Sequence, residues 1–176
     1  MKFLLKLKSV PFVPQIWYNN IVKNKKEVVV MVSGGFDPIH IGHIRYMQEA
    51  KMLGDKLVVV INNDNWFEVK GKTVFMHDKE RKEIIEALGC VDKVIISSHK
   101  KGTKDISVGN EIRKIKPDIF ANGGDRSPQM TDIPSKEHKV CNELGIQMIF
   151  NVGRGGKIRS SSEMLKEYAR QIKHKK

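Results

Sequence analysis

Apolar runs of five to seven residues recur along this chain, and between them lie segments with apolar residues at helical spacing. Glu27–Val32, Lys56–Asn62, Asp92–Ser97, Asp118–Asn122 and Ile146–Val152 read as strands. Their continuous apolar character is that of strands covered on both faces. Ile41–Leu53, His77–Leu88, Ile106–Ile115, Pro134–Leu144 and Ser161–Ile172 read as helices. Gly54, Gly89 and Gly145 stop three of them, and a fourth ends before Pro117. Strand and helix alternate throughout. The pattern predicts an α/β fold: a parallel five-stranded sheet with helices on both faces. In such a sheet ligands bind at the carboxyl ends of the strands, near the point where strand order reverses.

The first strand–helix junction carries the most chemistry. Ser33-Gly34-Gly35-Phe36-Asp37-Pro38-Ile39-His40-Ile41-Gly42-His43 joins the first apolar run to the first helix. A glycine-bearing turn there aims backbone N–H groups at whatever lies over the helix start, and the helix dipole favours an anion. His40 and His43 are three residues apart, so they share a face of the first helical turn. Gly34 and Gly35 suit a turn needing positive φ or close approach of a substrate, and Gly42 keeps the backbone between the histidines accessible. Asp37 precedes Pro38 and is biased to extended backbone. It reads as a turn aspartate or as a group near the acceptor or a metal. A zinc reading of the histidine pair lacks further ligands at useful spacing.

Two later stretches project from the same predicted edge, and a third opens the last helix. Lys70 and Lys72 lie in the loop after the second strand, with Trp66 and Phe67 just before them as candidate base-stacking or pocket-lining residues. Asn122-Gly123-Gly124-Asp125 ends the fourth strand at that edge, with Asp125 readable as a turn or helix-capping aspartate. Arg159-Ser160-Ser161-Ser162 opens the last helix, where hydroxyls, free N–H groups and a guanidinium again suit phosphate.

These motifs together resemble the cytidylyltransferase-like nucleotidyltransferases. Gly35-Phe36-Asp37-Pro38-Ile39-His40-Ile41-Gly42-His43 is similar to their HxGH turn, and Glu49–Asp55, Asn122–Asp125 and Arg159–Ser162 follow in the family's order. The last departs in detail, Arg-Ser-Ser-Ser standing where relatives carry Ile-Ser-Thr-Thr or Cys-Ser-Thr-Thr. The resemblance implies a Rossmann-like fold. It also implies transfer of CMP or AMP from CTP or ATP to a phosphorylated sugar or polyol, such as glycerol 3-phosphate, with release of pyrophosphate. His40, His43, Arg159 and Lys51 would act on the phosphates. Arg81 would contact phosphate or the acceptor, and Gly124 and Asp125 would lie beside the nucleotide, Asp125 holding a metal ion such as magnesium, or ribose. Lys70 and Lys72, by their place in the loop, and Asp37, by its place in the turn, are the further residues expected to hold the acceptor. Relatives that build FAD or NAD from a mononucleotide, or a non-catalytic nucleotide- or RNA-binding module, are the alternatives.

Charge and composition narrow the rest. The net charge of +12 concentrates at the ends: residues 1–26 carry six lysines and no acid, and residues 166–176 carry five basic residues and one acid. Residues 1–26 read as a basic, apolar extension, 27–165 as the catalytic domain and 166–176 as a basic helix end. Solubilising ends are the expectation, with nucleic acid or an anionic membrane as the less favoured partners. The apolar residues of the first segment are compatible with a homodimer. No apolar run approaches the roughly 20 residues of a membrane helix. Cys90 and Cys141 form no disulfide or metal pattern, so a cytoplasmic setting is expected.

Overall fold

The computed structural model describes residues 26–124, 135–153 and 159–173. Its strands are β1 (Val29–Gly34), β2 (Lys56–Ile61), β3 (Lys93–Ile96), β4 (Ile119–Gly123) and β5 (Gln147–Val152). Its helices are α1 (Ile41–Lys51), α2 (Asp64–Val69), α3 (Asp78–Glu86), α4 (Gly109–Ile115), α5 (Ser135–Leu144) and α6 (Ser161–Lys173). The strands form one parallel sheet in the order β3-β2-β1-β4-β5. This is the Rossmann-like arrangement expected. The chain builds outward from β1 to β3, then crosses back to lay β4 on the other side of β1. The strand order therefore reverses between β1 and β4, and the crevice at their carboxyl ends is the natural ligand site.

Hydrophobic burial fixes this arrangement. Val30, Met31 and Val32 in β1 are fully buried because neighbours flank the strand and helices cover both faces. On one face Val30, Val32, Val59 and Ile61 pack with Tyr46, Met47 and Ala50 of α1 and Ile85 of α3. On the other, Met31, Val60 and Phe120 pack with Ile112 of α4 and Val140 and Cys141 of α5. Each large apolar side chain removed from water contributes roughly 1.5–3 kcal/mol.

The opposite, amino-terminal edge of the sheet is tied by carboxylates. Asp55 accepts from Val28 N, Asp92 from Leu57 N and Asp118 from Val29 N. Lys51 belongs here, which corrects its expected place at the phosphates. It lies in the last turn of α1, roughly 15 Å along the axis from the helix start at 1.5 Å per residue. Its ammonium bonds Asp92 Oδ2 at 2.5 Å and Asp55 O at 2.6 Å.

Two elements differ from expectation. α2 is a short helix that periodicity did not separate from the following loop. Helix α4 begins at Gly109 rather than Ile106 because tertiary bonds claim the residues before it. Ile106 O accepts from Trp66 Nε1, Ser107 O lies against His99 Nε2, and Val108 N donates to buried Glu137.

Candidate active site

At the switch point, β1 runs into the glycine turn and α1 begins at His40, whose extended backbone (φ −147°, ψ 170°) makes it the N-cap. The glycines are needed for packing beneath the turn. A Cβ on Gly34 would lie 2.8 Å from the Phe36 ring, and one on Gly35 would lie 2.9 Å from Phe67 Cζ. The left-handed residue is Phe36 (φ 52°), not either glycine, so of the two reasons expected for glycine here positive φ does not apply. That conformation turns the Phe36 ring inward, edge-on to His43 at 5.1 Å.

The His40 and His43 rings stack with centroids 3.7 Å apart and planes 18° apart. Both Nδ1 atoms are buried and have no hydrogen-bond partner among the described residues. Burial, then the charge of His40, pushes His43 down to about 3. Burial also lowers His40, helped by the positive charge of Arg159 and opposed by a backbone bond. Near neutral pH the pair is thus uncharged, and unpaired ring nitrogens sit at a helix start. Burial is the larger part of both shifts, and an anion brought between the rings and Arg159 would offset the smaller, like-charge part.

The start of α6 meets this turn across the chain. Ser161 Oγ donates to Pro38 O at 2.9 Å. Arg159, Ser160, Ser161 and Ser162 consequently line the same cavity as Gly34, Gly35, Phe36, His40, Gly42 and His43. Gly123 and Gly124 at the end of β4 line it too. The cavity measures about 520 Å³, within the range of small-molecule sites. Asp125 lies outside the described residues.

Tyr46, which the sequence reading did not single out, forms part of the wall on the β4–β5 side. Its hydroxyl donates to Ala121 O at 2.7 Å, and a Cβ on Gly123 would lie 2.8 Å from its ring. The signal was available: Tyr46 falls one helical turn after His43, on the same face.

The β2 side of the cavity carries Trp66, Phe67, Lys72 and Thr73. Asp37 borders it as well, but both carboxylate oxygens are engaged, by Phe75 N at 2.7 Å and Met76 N at 2.8 Å. It pins the loop after α2 to the glycine turn. Lys70 is set aside from the cavity lining, with its ammonium 5.8 Å from the Trp66 ring centroid.

Arg81 is the larger correction. Expected to contact the acceptor, its side chain is completely buried. It donates to Gly35 O at 2.8 Å, Asn62 O at 2.6 Å and Met76 O at 2.8 Å, and pairs with Asp64 Oδ1 at 2.7 Å. It also lies over the Phe67 ring at 4.9 Å. With its donors turned inward it organises the turn from behind instead of reaching substrate.

Among the described residues no group of three His, Cys, Asp or Glu side chains could hold a metal ion. Magnesium does not demand such a cage, since it commonly binds through substrate phosphates and one or two carboxylates while retaining water.

A Rossmann-like sheet whose switch point joins two helix starts, an imidazole pair, serine hydroxyls and a guanidinium defines a nucleotide-binding α/β protein of the phosphoryl-transfer kind. The chain belongs to the cytidylyltransferase-like family, whose model matches residues 31–166, and it is a nucleotidyltransferase. It is 34% identical over 140 residues to the FAD synthase of Thermoplasma volcanium, covering 78% of this chain and 92% of that one. It is 32% identical over 111 residues to the bifunctional protein HldE of Syntrophotalea carbinolica, spanning 62% of this chain but 21% of HldE. The crystal structure of the lipopolysaccharide core biosynthesis protein from Thermoplasma volcanium superposes with a TM-score of 0.55 at 32% identity, covering 72% of this chain and 95% of that one. Among the described residues no helix is long and apolar enough to cross a membrane.

Proposed function

We propose that this protein transfers the nucleoside monophosphate of a nucleoside triphosphate, ATP or CTP, to a phosphomonoester acceptor and releases pyrophosphate. The observation that carries this reading is the convergence of His40, His43, Arg159 and the Ser160–Ser162 segment on one cavity whose other side carries Lys72 and Thr73. An acceptor phosphate oxygen attacks the α-phosphorus. A new P–O–P linkage forms as the α–β bond breaks, and the electron pair leaves on pyrophosphate. A phosphomonoester is largely dianionic near neutral pH, with a second pKa near 6, so the nucleophile needs no side-chain base. The protein's part is positioning and neutralisation of charge on the phosphates. In this reading His40, His43 and Arg159 face the triphosphate, and the α6 start holds it. Lys72 faces the acceptor. Magnesium, when bound, would neutralise phosphate charge, with Asp125 the carboxylate proposed to meet it.

Between acceptors, the relatives favour a flavin mononucleotide over the sugar or polyol phosphate expected first. The similarity to a protein named FAD synthase runs along nearly all of that relative, whereas the similarity to HldE covers a fifth of it. A sugar phosphate is the second reading. The test incubates the full chain and magnesium with ATP or CTP and, in turn, flavin mononucleotide, hexose 1-phosphates and glycerol 3-phosphate. Pyrophosphate and FAD are expected from ATP with flavin mononucleotide. Absence of pyrophosphate from every pairing overturns the transfer reading.

A further inference from the structure

The β2 side of the cavity is built around one indole, and its surroundings say what kind of acceptor it fits. Trp66 stands on α2, whose N-cap Asn63 accepts from Trp66 N at 3.1 Å. The indole Nε1–H donates to Ile106 O at 3.0 Å, so the ring's polar edge is turned into the loop after β3. Phe67 meets it edge-on at 5.2 Å and is itself locked between Gly35 and the Arg81 guanidinium. The loop that receives the indole is braced in turn. The His99 ring lies between Ser97 Oγ at 2.7 Å and Ser107 O at 3.0 Å, and Asn63 and Asn65 Nδ2 both donate to His99 O. Trp66 is therefore a fixed plate with its hydrogen-bonding edge already satisfied.

The neighbouring polar groups are similarly occupied. The Asn63 and Asn65 amide nitrogens serve His99 O, and the Asp64 carboxylate serves Arg81, His77 and Asp78 N. Lys72 and Thr73 remain as cavity-lining polar side chains here, and the Lys70 ammonium lies over one face of the indole, 5.8 Å from its centroid, leaving the opposite face for a ligand ring. A sugar phosphate would bring several hydroxyls to a wall poor in open partners. A planar aromatic ring asks for a π face, and its phosphate for cations.

Resting on the nucleotidyl-transfer reading, we infer that Trp66 is the stacking wall for a planar aromatic ring on the acceptor phosphomonoester, and thereby selects the acceptor class. The probe is flavin mononucleotide, set against a hexose 1-phosphate, with equilibrium binding measured by calorimetry on the full chain. The proteins are wild type, Trp66→Phe and Trp66→Ala. Loss of a base–aromatic stack costs roughly five- to hundred-fold in affinity. Trp66→Ala should weaken flavin mononucleotide binding by that factor, Trp66→Phe should restore most of it, and ATP binding should stay within about twofold. If Trp66→Ala does not fold, Trp66→Leu, which keeps apolar bulk without a π face, makes the same comparison with Trp66→Phe. Unchanged flavin mononucleotide affinity in the non-aromatic variant overturns the inference, as does a loss confined to the hexose phosphate. Binding needs no turnover, so the two readings fail separately. Missing pyrophosphate with every acceptor ends the transfer reading, while a missing Trp66 effect with turnover intact ends this one alone.

Discussion

His43 shows how one side chain links the site to stability. Its folded pKa of about 3 lies well below the ordinary 6.5. Between those values the unfolded chain takes up a proton that the folded protein refuses. The stability associated with His43 is therefore present above pH 6.5 and lost as pH falls toward 3, at up to about 1.4 kcal/mol per pH unit. Urea unfolding at pH 7 and pH 5 should show His43→Asn losing about 1–2 kcal/mol less than wild type over that interval. Equal losses would mean His43 titrates normally when folded. The same variant at pH 7 should keep its fold and release pyrophosphate about 10²–10³-fold more slowly, the usual effect of removing one transition-state donor.

Two basic residues that look alike in the sequence are opposites in place. Arg81 is buried with its donors on three carbonyls and a carboxylate, so Arg81→Met strands those acceptors and should cost about 3–5 kcal/mol in urea unfolding. Lys51 forms a partly exposed pair with Asp92. Lys51→Met should change stability by no more than about 1 kcal/mol and leave pyrophosphate release within about twofold, since its ammonium lies at the far edge of the sheet. A large catalytic loss in Lys51→Met would return that lysine to the phosphates.

Among the elements, α6 matters for where it begins. It has no fully buried residue, yet its first turn is fastened to the glycine turn by the Ser161–Pro38 bond. Ser161→Ala removes that tie and should destabilise the protein by about 1 kcal/mol. It should also raise KM for the triphosphate more than it lowers kcat, because Arg159 and Ser160 would be held less firmly. Kinetics at varied triphosphate concentration test this, and an unchanged KM would show that α6 is seated by other contacts. The remaining helices illustrate what periodicity can reveal. α1 buries Tyr46, Met47 and Ala50 along one face, while Ile85 with Leu88 at α3 and Val140 with Cys141 in α5 supply shorter apolar spacings, and these were readable. α2 spans six residues of mixed character, too few for a period to emerge. The start of α4 was misplaced because Ile106, Ser107 and Val108 are apolar or small enough for a helix. Their backbone groups are claimed by Trp66, His99 and Glu137, partners 29 to 40 positions away for Trp66 and Glu137.

Taken over its full extent, the chain divides its information by distance. Continuous apolar strands, glycine stops and the His40-Ile41-Gly42-His43 turn act within a few residues of themselves. Backbone conformation and burial at that range depend on local side chains, so the α/β class and the glycine turn with its histidine pair at a helix start were legible directly. The four motif stretches also placed Arg159 with the histidines, through their family resemblance. What each side chain does once there was not legible. Arg81 and Lys72 are both cations in loops or helices after β2, and nothing local distinguishes the one turned inward from the one lining the cavity. Lys51 lies eight residues from His43, yet α1 carries it to the opposite edge of the sheet. Trp66 became a fixed wall only because Ile106 O, 40 positions away, takes its N–H. Those outcomes are settled by which buried polar group finds a partner, and that competition is decided by tertiary packing, since an unpaired buried donor or acceptor costs about 1–3 kcal/mol wherever in the chain its partner lies.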